Sequence, residues 1–410
     1  MTLQIDAHRL QANLEALARV GATAGGGVTR LALTDEDKAG RDLLRNWMEG
    51  AGLRLRIDDF GNMIGRRPGL DDAAPILLGS HIDSVRRGGR FDGAYGVLAA
   101  LEVVRTLNDA NVETARPIEV VNWTNEEGVR FEPAMLCSGA VVGRFERDYV
   151  YDRTDRDGRR FEDELRRIGY LGAERDRPAT PAAYLELHVE QGPVLEAEGA
   201  AVGVVQGVVG ITWLELRLDG RADHAGPSPM PLRQDALAAA ARVISGVEAL
   251  AHATPGAVAT VGRLVVEPNV INTIPGRVVM SVDLRHPRAE TLESLVEGLE
   301  RLAAEVRRDT GVSVDSDRFW TSEPTPFDQH AVRAVRSACD GLGFNLVSLW
   351  SGAGHDAKYL QDVCPSGMIF VRSRGGVSHS EEEYSSPEDL ETGANVLLAA
   401  TLKLANDHED

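Results

Sequence analysis

Residues 75–81 read Pro75-Ile76-Leu77-Leu78-Gly79-Ser80-His81. A short apolar run without polar alternation reads as a strand buried on both faces. It stops at a histidine. Outward from it, residues 94–108 read as a helix with Val97, Leu98, Leu101 and Leu107 on its buried side. Residues 118–124 (IEVVNWT) read as a second buried strand that runs into Glu126-Glu127. Residues 183–187 form a third strand ending at His188, and 368–373 a fourth leading to His379. Buried strands alternating with helices predict an α/β sheet covered by helices on both faces. Ligands of such sheets gather beyond the carboxyl ends of the strands. His81, Glu127, His188 and His379 all fall at or just past such ends.

The flanking segments fit the same plan. Residues 3–19 place Leu3, Leu10, Leu14 and Leu17 at helical spacing. Thr34 before Asp35-Glu36-Asp37 reads as an N-cap with an acidic first turn, opening a helix to about Gly50. Residues 53–66 read as two short strands around a turn at Asp59–Asn62. Residues 208–322 differ. There 211–218 (ITWLELRL) and 278–285 (VVMSVDLR) alternate apolar and polar, the mark of strands with one wet face. Helical stretches near 232–252 and 288–309 separate them. Strand, helix, strand, strand, helix, strand describes a ferredoxin-like α+β domain. It is read as an insertion at 208–322 into a larger domain made of 1–207 and 323–410. The tail after Ala405 is polar and expected to fray.

A chain of 410 residues suits two such domains. Hydrophobic residues make up 43% and charged residues 26%, enough for an ordinary core without staples. The net charge of −19 argues against nucleic acid and against anionic membranes, both of which need clustered cations. No apolar run approaches the 18 or so residues of a spanning helix. The start, MTLQIDAHRLQ, lacks the apolar stretch of a signal peptide, so a cytoplasmic protein is expected. Cys137, Cys339 and Cys364 are too widely spaced for a disulfide framework or a thiolate zinc site. Lys38, Lys358 and Lys403 are the only lysines, a compositional bias rather than a function.

The polar residues at the strand ends are those of a metal site. His81 lies in GSHIDS, Asp92 in RFDGAYG, Glu126 and Glu127 in NEEG, His188 in LELHVEQG and His379 in GGVSHSEE. Imidazoles and carboxylates without thiolates suit zinc, manganese, cobalt or nickel. Singly, each has a plain structural reading: a strand-ending histidine, an Asp-Gly turn, acids at a helix start. Four strand ends carrying such residues together point to a site. Adjacent glutamates suggest a division of labour, one binding metal and the other acting as general base beside an activated water. Asp83, two residues beyond His81, is placed to accept the other imidazole N–H and fix its tautomer.

Seven ordered motifs carry a resemblance over about residues 30–390: GSHIDS…GGRFDGAYGVLAALEVV, NWTNEEGVRFEPAMLCSG, LELHVEQGPVLE, HAGPSPMPLRQDA, PNVINTIPG, SGAGHDA and GGVSHSEEEYS. Together they resemble the hydantoinase/carbamoylase-type amidases of the M20 metallopeptidase-like superfamily: N-carbamoyl-L-amino acid hydrolases, β-ureidopropionases and allantoate amidohydrolases. The resemblance implies a mixed-sheet catalytic domain with two divalent ions and an inserted lid and dimerisation domain. By position, His81, Asp92, His188, Glu127 and His379 resemble the ligands, with Asp92 bridging, and Glu126 resembles the base. His224 resembles an oxyanion-stabilising histidine; Gln191, Asn272 and Arg285 resemble substrate-binding residues. Arg285 suits an α-carboxylate, which guanidinium grips as a fork. Gly354, in the Gly352–Asp356 turn, is read as letting backbone approach the substrate, with His355 structural. Ser228 replaces a more usual threonine and keeps the hydroxyl; Cys137 stands where a small residue is usual and is read as a buried inert thiol.

The reading is a metal-dependent amidohydrolase releasing amino acid, carbon dioxide and ammonia from N-carbamoyl-L-amino acids. Its lid is expected to close about hinges near Gly207 and Ser322, and a homodimer joined through the lids is implied by the resemblance. The expected partner is a small ureido or amide substrate, with no nucleic acid and no membrane. Rival substrates are allantoate, carbamoyl-β-alanine and acylated amino acids. A rival of another class is a metal-retaining binding protein without catalysis.

Overall fold

In the computed structural model, which describes residues 3–407, four strands are buried at every position: Ile76–His81, Ile118–Trp123, Ala183–Val189 and Ser366–Val371. They belong to one mixed sheet. Numbered along the chain, its longer strands, eight of nine, are β1 (Arg54–Ile57), β2 (Met63–Arg67), β3 (Ile76–His81), β4 (Ile118–Trp123), β5 (Ala183–Val189), β6 (Val202–Val208), β7 (Leu346–Ser351) and β8 (Ser366–Val371). The order is β1-β2-β4-β3-β5-β8-β6, with β7 beside β6. The central pairs β4–β3, β3–β5 and β5–β8 are parallel, so their carboxyl ends share one edge. The flanking pairs β1–β2, β2–β4 and β8–β6 are antiparallel. The helix Ala94–Asp109 packs on β3 and β5, burying Val97, Leu98, Leu101 and Leu107 completely.

By contacts the chain divides into Met1–Gly207 with Phe327–Asp410, and Val208–Pro326. The second unit runs past Ser322, where the last strand of its four-stranded sheet ends, to Pro326. Its strands Ser313–Ser322, Gly210–Asp219, Arg277–His286 and Val258–Glu267 lie in that order, all antiparallel. Alternation decides which face is dry: Leu214, Leu216 and Leu218 are buried with Val243, Val247, Leu295 and Leu299 from its two helices. Trp213, just before Leu214 and on the opposite face, is exposed and packs against Trp320, ring centroids 4.5 Å apart.

Three expectations need correction. The first helix is Ala7–Ala18, because Asp6 caps it by accepting the Arg9 N–H; Leu3 lies before it. The helix Ala236–Ala253 is long and apolar enough to cross a membrane by length and composition. Its apolar side, Ala236, Ala239, Ala240, Val243 and Val247, belongs to the core of the second unit. The last helix, Pro387–Asn406, continues past Ala405, and residues 408–410 of the expected frayed tail lie outside those described.

One buried ion pair supports the loop after β4. Arg41 and Asp37, both fully buried, are 2.8 Å apart in the helix Asp35–Gly50. Arg41 also donates to the Gly61 carbonyl and to Thr124 Oγ1. Asp37→Ala leaves that guanidinium buried without its partner. The expected cost is about 3–5 kcal/mol, read as a lower midpoint in urea unfolding.

Candidate active site

The parallel strands deliver His81 and His188 directly, as the last residue of β3 and the last but one of β5. Each ring is fixed through Nδ1, at 2.9 Å from the Asp83 and Val189 carbonyl oxygens respectively. This leaves Nε2 of both pointing onward. Beyond β4 the chain turns through Asn125, at φ +58°, whose amide donates to the Phe131 carbonyl. Glu126 and Glu127 follow, and their N–H groups donate to Asp83 Oδ1 and Oδ2 at 3.2 and 3.3 Å. The expected role of Asp83 therefore changes. Its backbone carbonyl orients His81, while its carboxylate, 3.8 Å from the ring, anchors the glutamate turn.

Asp92 lies where these groups converge. Its Oδ1 is 3.1 Å from His188 Nε2 and 3.7 Å from His81 Nε2. Its Oδ2 is 3.3 Å from His379 Nε2, which is 3.5 Å from Glu127 Oε2. Two groups of ligand atoms result, His81–Asp92–His188 and Asp92–Glu127–His379, the atoms of each within 4.8 Å of one another. Glu126 belongs to neither; its Oε2 is 3.5 Å from His81 Nε2. These residues line a cavity of about 150 Å³ with Ala134, Gln191, Ala353, Gly354 and His355.

The electrostatics suit a cation. Burial, and then the neighbouring carboxylates, push the Glu126 and Glu127 carboxyls well above the usual range. Burial also opposes ionisation of Asp92, but hydrogen bonds to His188 and His379 hold it well below. Burial pushes His81 down to about 4; it also disfavours protonated His188, yet Asp92 raises that ring to about 9. Like-charged carboxyls crowded in a dry cleft are stabilised by a bound cation. The donor set of imidazole and carboxylate, with two groups sharing Asp92, fits divalent metal.

Other expected residues fall as follows. Gln191 Nε2 donates to Asp92 Oδ2 at 3.0 Å, and its Oε1 is buried without a hydrogen-bond partner among the described residues. Gly354 borders the cavity, and a Cβ there would meet only the flexible end of Met135. His355, read from sequence as structural, also lines the cavity, its ring 4.6 Å from that of His188 and its Nε2 2.9 Å from Ser351 Oγ. Cys137 is buried, its thiol pushed well up by burial, and it is not among the lining residues.

His224, Asn272 and Arg285 belong to the second unit. His224 sits on a two-residue strand paired with Thr273–Ile274, next to Asn272, whose carbonyl accepts the Ala225 N–H. Gly226 donates to His224 Nδ1 at 3.0 Å, so the neutral ring carries its hydrogen on Nε2. The Asp223 carboxyl beside it is held low, chiefly by the Ser228 hydroxyl. Arg285 forks onto Asp283 at 2.9 and 2.7 Å.

Sequence reasoning missed Glu383 and Ser378. Glu383 is buried and accepts the Phe91 and Asp92 N–H groups. The only signal was the acidic run in SHSEEEYS, which does not tell which glutamate turns inward.

The chain is similar to known proteins over nearly its whole length. Residues 77–403 match the family described as Peptidase family M20/M25/M40. The chain is 44% identical over 404 residues to an N-carbamoyl-L-amino-acid amidohydrolase of Rhizobium meliloti, covering 98% of this chain and 97% of that one. It is 36% identical over 396 residues to an allantoate amidohydrolase of Bacillus subtilis (strain 168), covering 96% of each. The crystal structure of a hydantoinase/carbamoylase family amidase from Burkholderia multivorans superposes with a TM-score of 0.97 at 47% identity, covering 99% of both chains.

Gly93 is the steric hinge of the site. At φ +63°, a Cβ there would lie 2.3 Å from His81 Cε1. Gly93→Ala must therefore displace His81 or Asp92. The expected outcome is weakened Zn²⁺ or Mn²⁺ binding in titration calorimetry, with the far-ultraviolet circular dichroism spectrum retained.

Proposed function

The chain belongs to Peptidase family M20/M25/M40, in its hydantoinase/carbamoylase branch, and we propose that it hydrolyses N-carbamoyl-L-amino acids to the L-amino acid, carbon dioxide and ammonia. It is an amidohydrolase acting on C–N bonds other than peptide bonds. The observation that carries the reading is the shared Asp92 carboxylate, with Glu126 beside it and outside both ligand groups. The substrate assignment rests on the relatives named for N-carbamoyl-L-amino acids, 44% and 42% identical, against 36% for the allantoate enzyme.

On this reading His81, Asp92 and His188 hold one divalent ion, and Asp92, Glu127 and His379 a second. Zinc, manganese, cobalt and nickel all suit the donors. When bound, such ions supply Lewis acidity that activates water and polarises the ureido carbonyl. Glu126 takes a proton from the attacking water and passes it to the leaving nitrogen. His224 donates its Nε2 hydrogen to the oxygen on which negative charge develops. Arg285 receives the α-carboxylate, and Gln191, Asn272 and Gly354 position the rest of the substrate.

Two further parts of the proposal are independent of the chemistry. The exposed aromatic face of the second unit, Trp213, Phe319 and Trp320, supports a homodimer joined through that unit. The buried free thiols Cys137, Cys339 and Cys364 are in keeping with a cytoplasmic location. Sedimentation at a mass of one chain would remove the dimer.

The deciding assay follows ammonia release from N-carbamoyl-L-methionine, its D-enantiomer, N-carbamoyl-β-alanine and allantoate, with and without added metal after chelator treatment. Metal-dependent turnover of the L-carbamoyl compound alone is expected; preference for allantoate would reassign the pocket and keep the chemistry. Glu126→Gln should lower kcat by about 10²–10⁴-fold with metal content unchanged. Unchanged turnover would remove Glu126 from its role. His224→Ala should lower kcat by about 10²–10³-fold, again with metal retained.

A further inference from the structure

The two ligand groups are built differently. His81 and His188 are strand-end residues, almost fully buried, each ring fixed by a backbone carbonyl. His379 stands on a loop at φ +52° with its side chain 53% exposed. For the outer group to keep its geometry, a side chain must tie that loop to the one carrying Asp92.

Glu383 does. Its Oε1 accepts the N–H groups of Phe91 and Asp92, both at 3.1 Å. Its Oε2 accepts from Ser378 Oγ at 3.1 Å, immediately before His379. The same Ser378 oxygen lies 3.5 Å from Asp92 Oδ2, the oxygen that faces His379. Close approach is secured by Gly89, where a Cβ would lie 2.0 Å from Glu383 Oε1. One buried carboxylate thus joins the loops that carry two of the three donors of the outer group. Glu381 holds the same turn from the other side through Arg87.

We infer that Glu383 and Ser378 are positioning residues for the outer ion, setting the affinity of the Asp92–Glu127–His379 group while leaving the His81–Asp92–His188 group largely to the strand ends. The inference rests on the two-ion reading above. Groups that orient metal ligands without touching the metal typically govern about 10–100-fold in affinity. Here that effect should fall on one ion only.

The test is titration of chelator-stripped protein with Mn²⁺, followed by calorimetry and by competition with a chromophoric chelator. Wild type is expected to take up two ions per chain. Glu383→Ala should keep the first ion near wild-type affinity and weaken the second by about 10–100-fold. Glu383→Gln, whose amide oxygen can still accept both N–H groups, should recover most of the loss. Ser378→Ala, which leaves those two bonds in place, should weaken the second ion several-fold, and it serves if Glu383→Ala does not fold. Equal weakening of both ions, or an unchanged second ion in the variants that fold, would overturn the inference. Uptake of a single ion by wild type would instead overturn the two-ion reading beneath it.

Discussion

The structure turns on one carboxylate asked to face two ways. Asp92 presents Oδ1 to His81 and His188 and Oδ2 to His379, within a buried cleft that also holds Glu126 and Glu127. Such a group is tolerable in a dry interior only when positive charge and hydrogen-bond donors surround it. The surroundings supply both. Gln191 donates to Oδ2, and Gly93 makes room for the His81 ring. Its own amide and that of Phe91 are tied down by Glu383. The helix Ala94–Asp109 starts immediately after, so its amino-terminal dipole also faces the anion.

This arrangement could be read in the sequence where the physics is local. A strand buried on both faces must be an unbroken apolar run, so β3, β4, β5 and β8 stand out, and so do the polar residues that end or follow them. Their separation in sequence does not matter, because four adjacent parallel strands bring their ends to one edge. The second unit was legible for a related reason: a strand with one wet face must alternate, as Leu214, Leu216 and Leu218 do around Glu215 and Arg217.

What escaped the sequence are contacts that no period encodes. Glu383 meets Asp92 from 291 residues further along the chain, and nothing in the sequence distinguishes it from Glu381 or Glu382 until the turn from Ser378 folds back. The carboxylate of Asp83 was expected at His81 because two residues separate them; the strand end instead offers its carbonyl there and frees the side chain for the glutamate turn. The pairing of Asp223–His224 with Thr273–Ile274 is too short to leave a pattern, as is the turn in which the Gly226 N–H meets His224 Nδ1.

In the proposed mechanism the adjacent Glu126 and Glu127 hold different roles, one base and one ligand, and the backbone accounts for the difference. In an extended strand neighbouring side chains point to opposite faces, and in a helix they diverge by about 100°. Here the backbone has just passed through the left-handed conformation at Asn125, and Asp83 grips both following amides with its two oxygens. The divergence is thereby frozen. Glu127 is directed to His379 and the outer group; Glu126 is directed toward His81 and stays outside both groups. A ligand must be held against its ion, whereas a base must be near the water yet able to move a proton. Placing the two on consecutive residues clamped by one carboxylate keeps them a fixed distance apart without making them equivalent. That is the physical content of the Asn125-Glu126-Glu127 sequence, and in the proposed mechanism it makes Asp83 a positioning residue, its carbonyl orienting His81 and its carboxylate holding the glutamate turn.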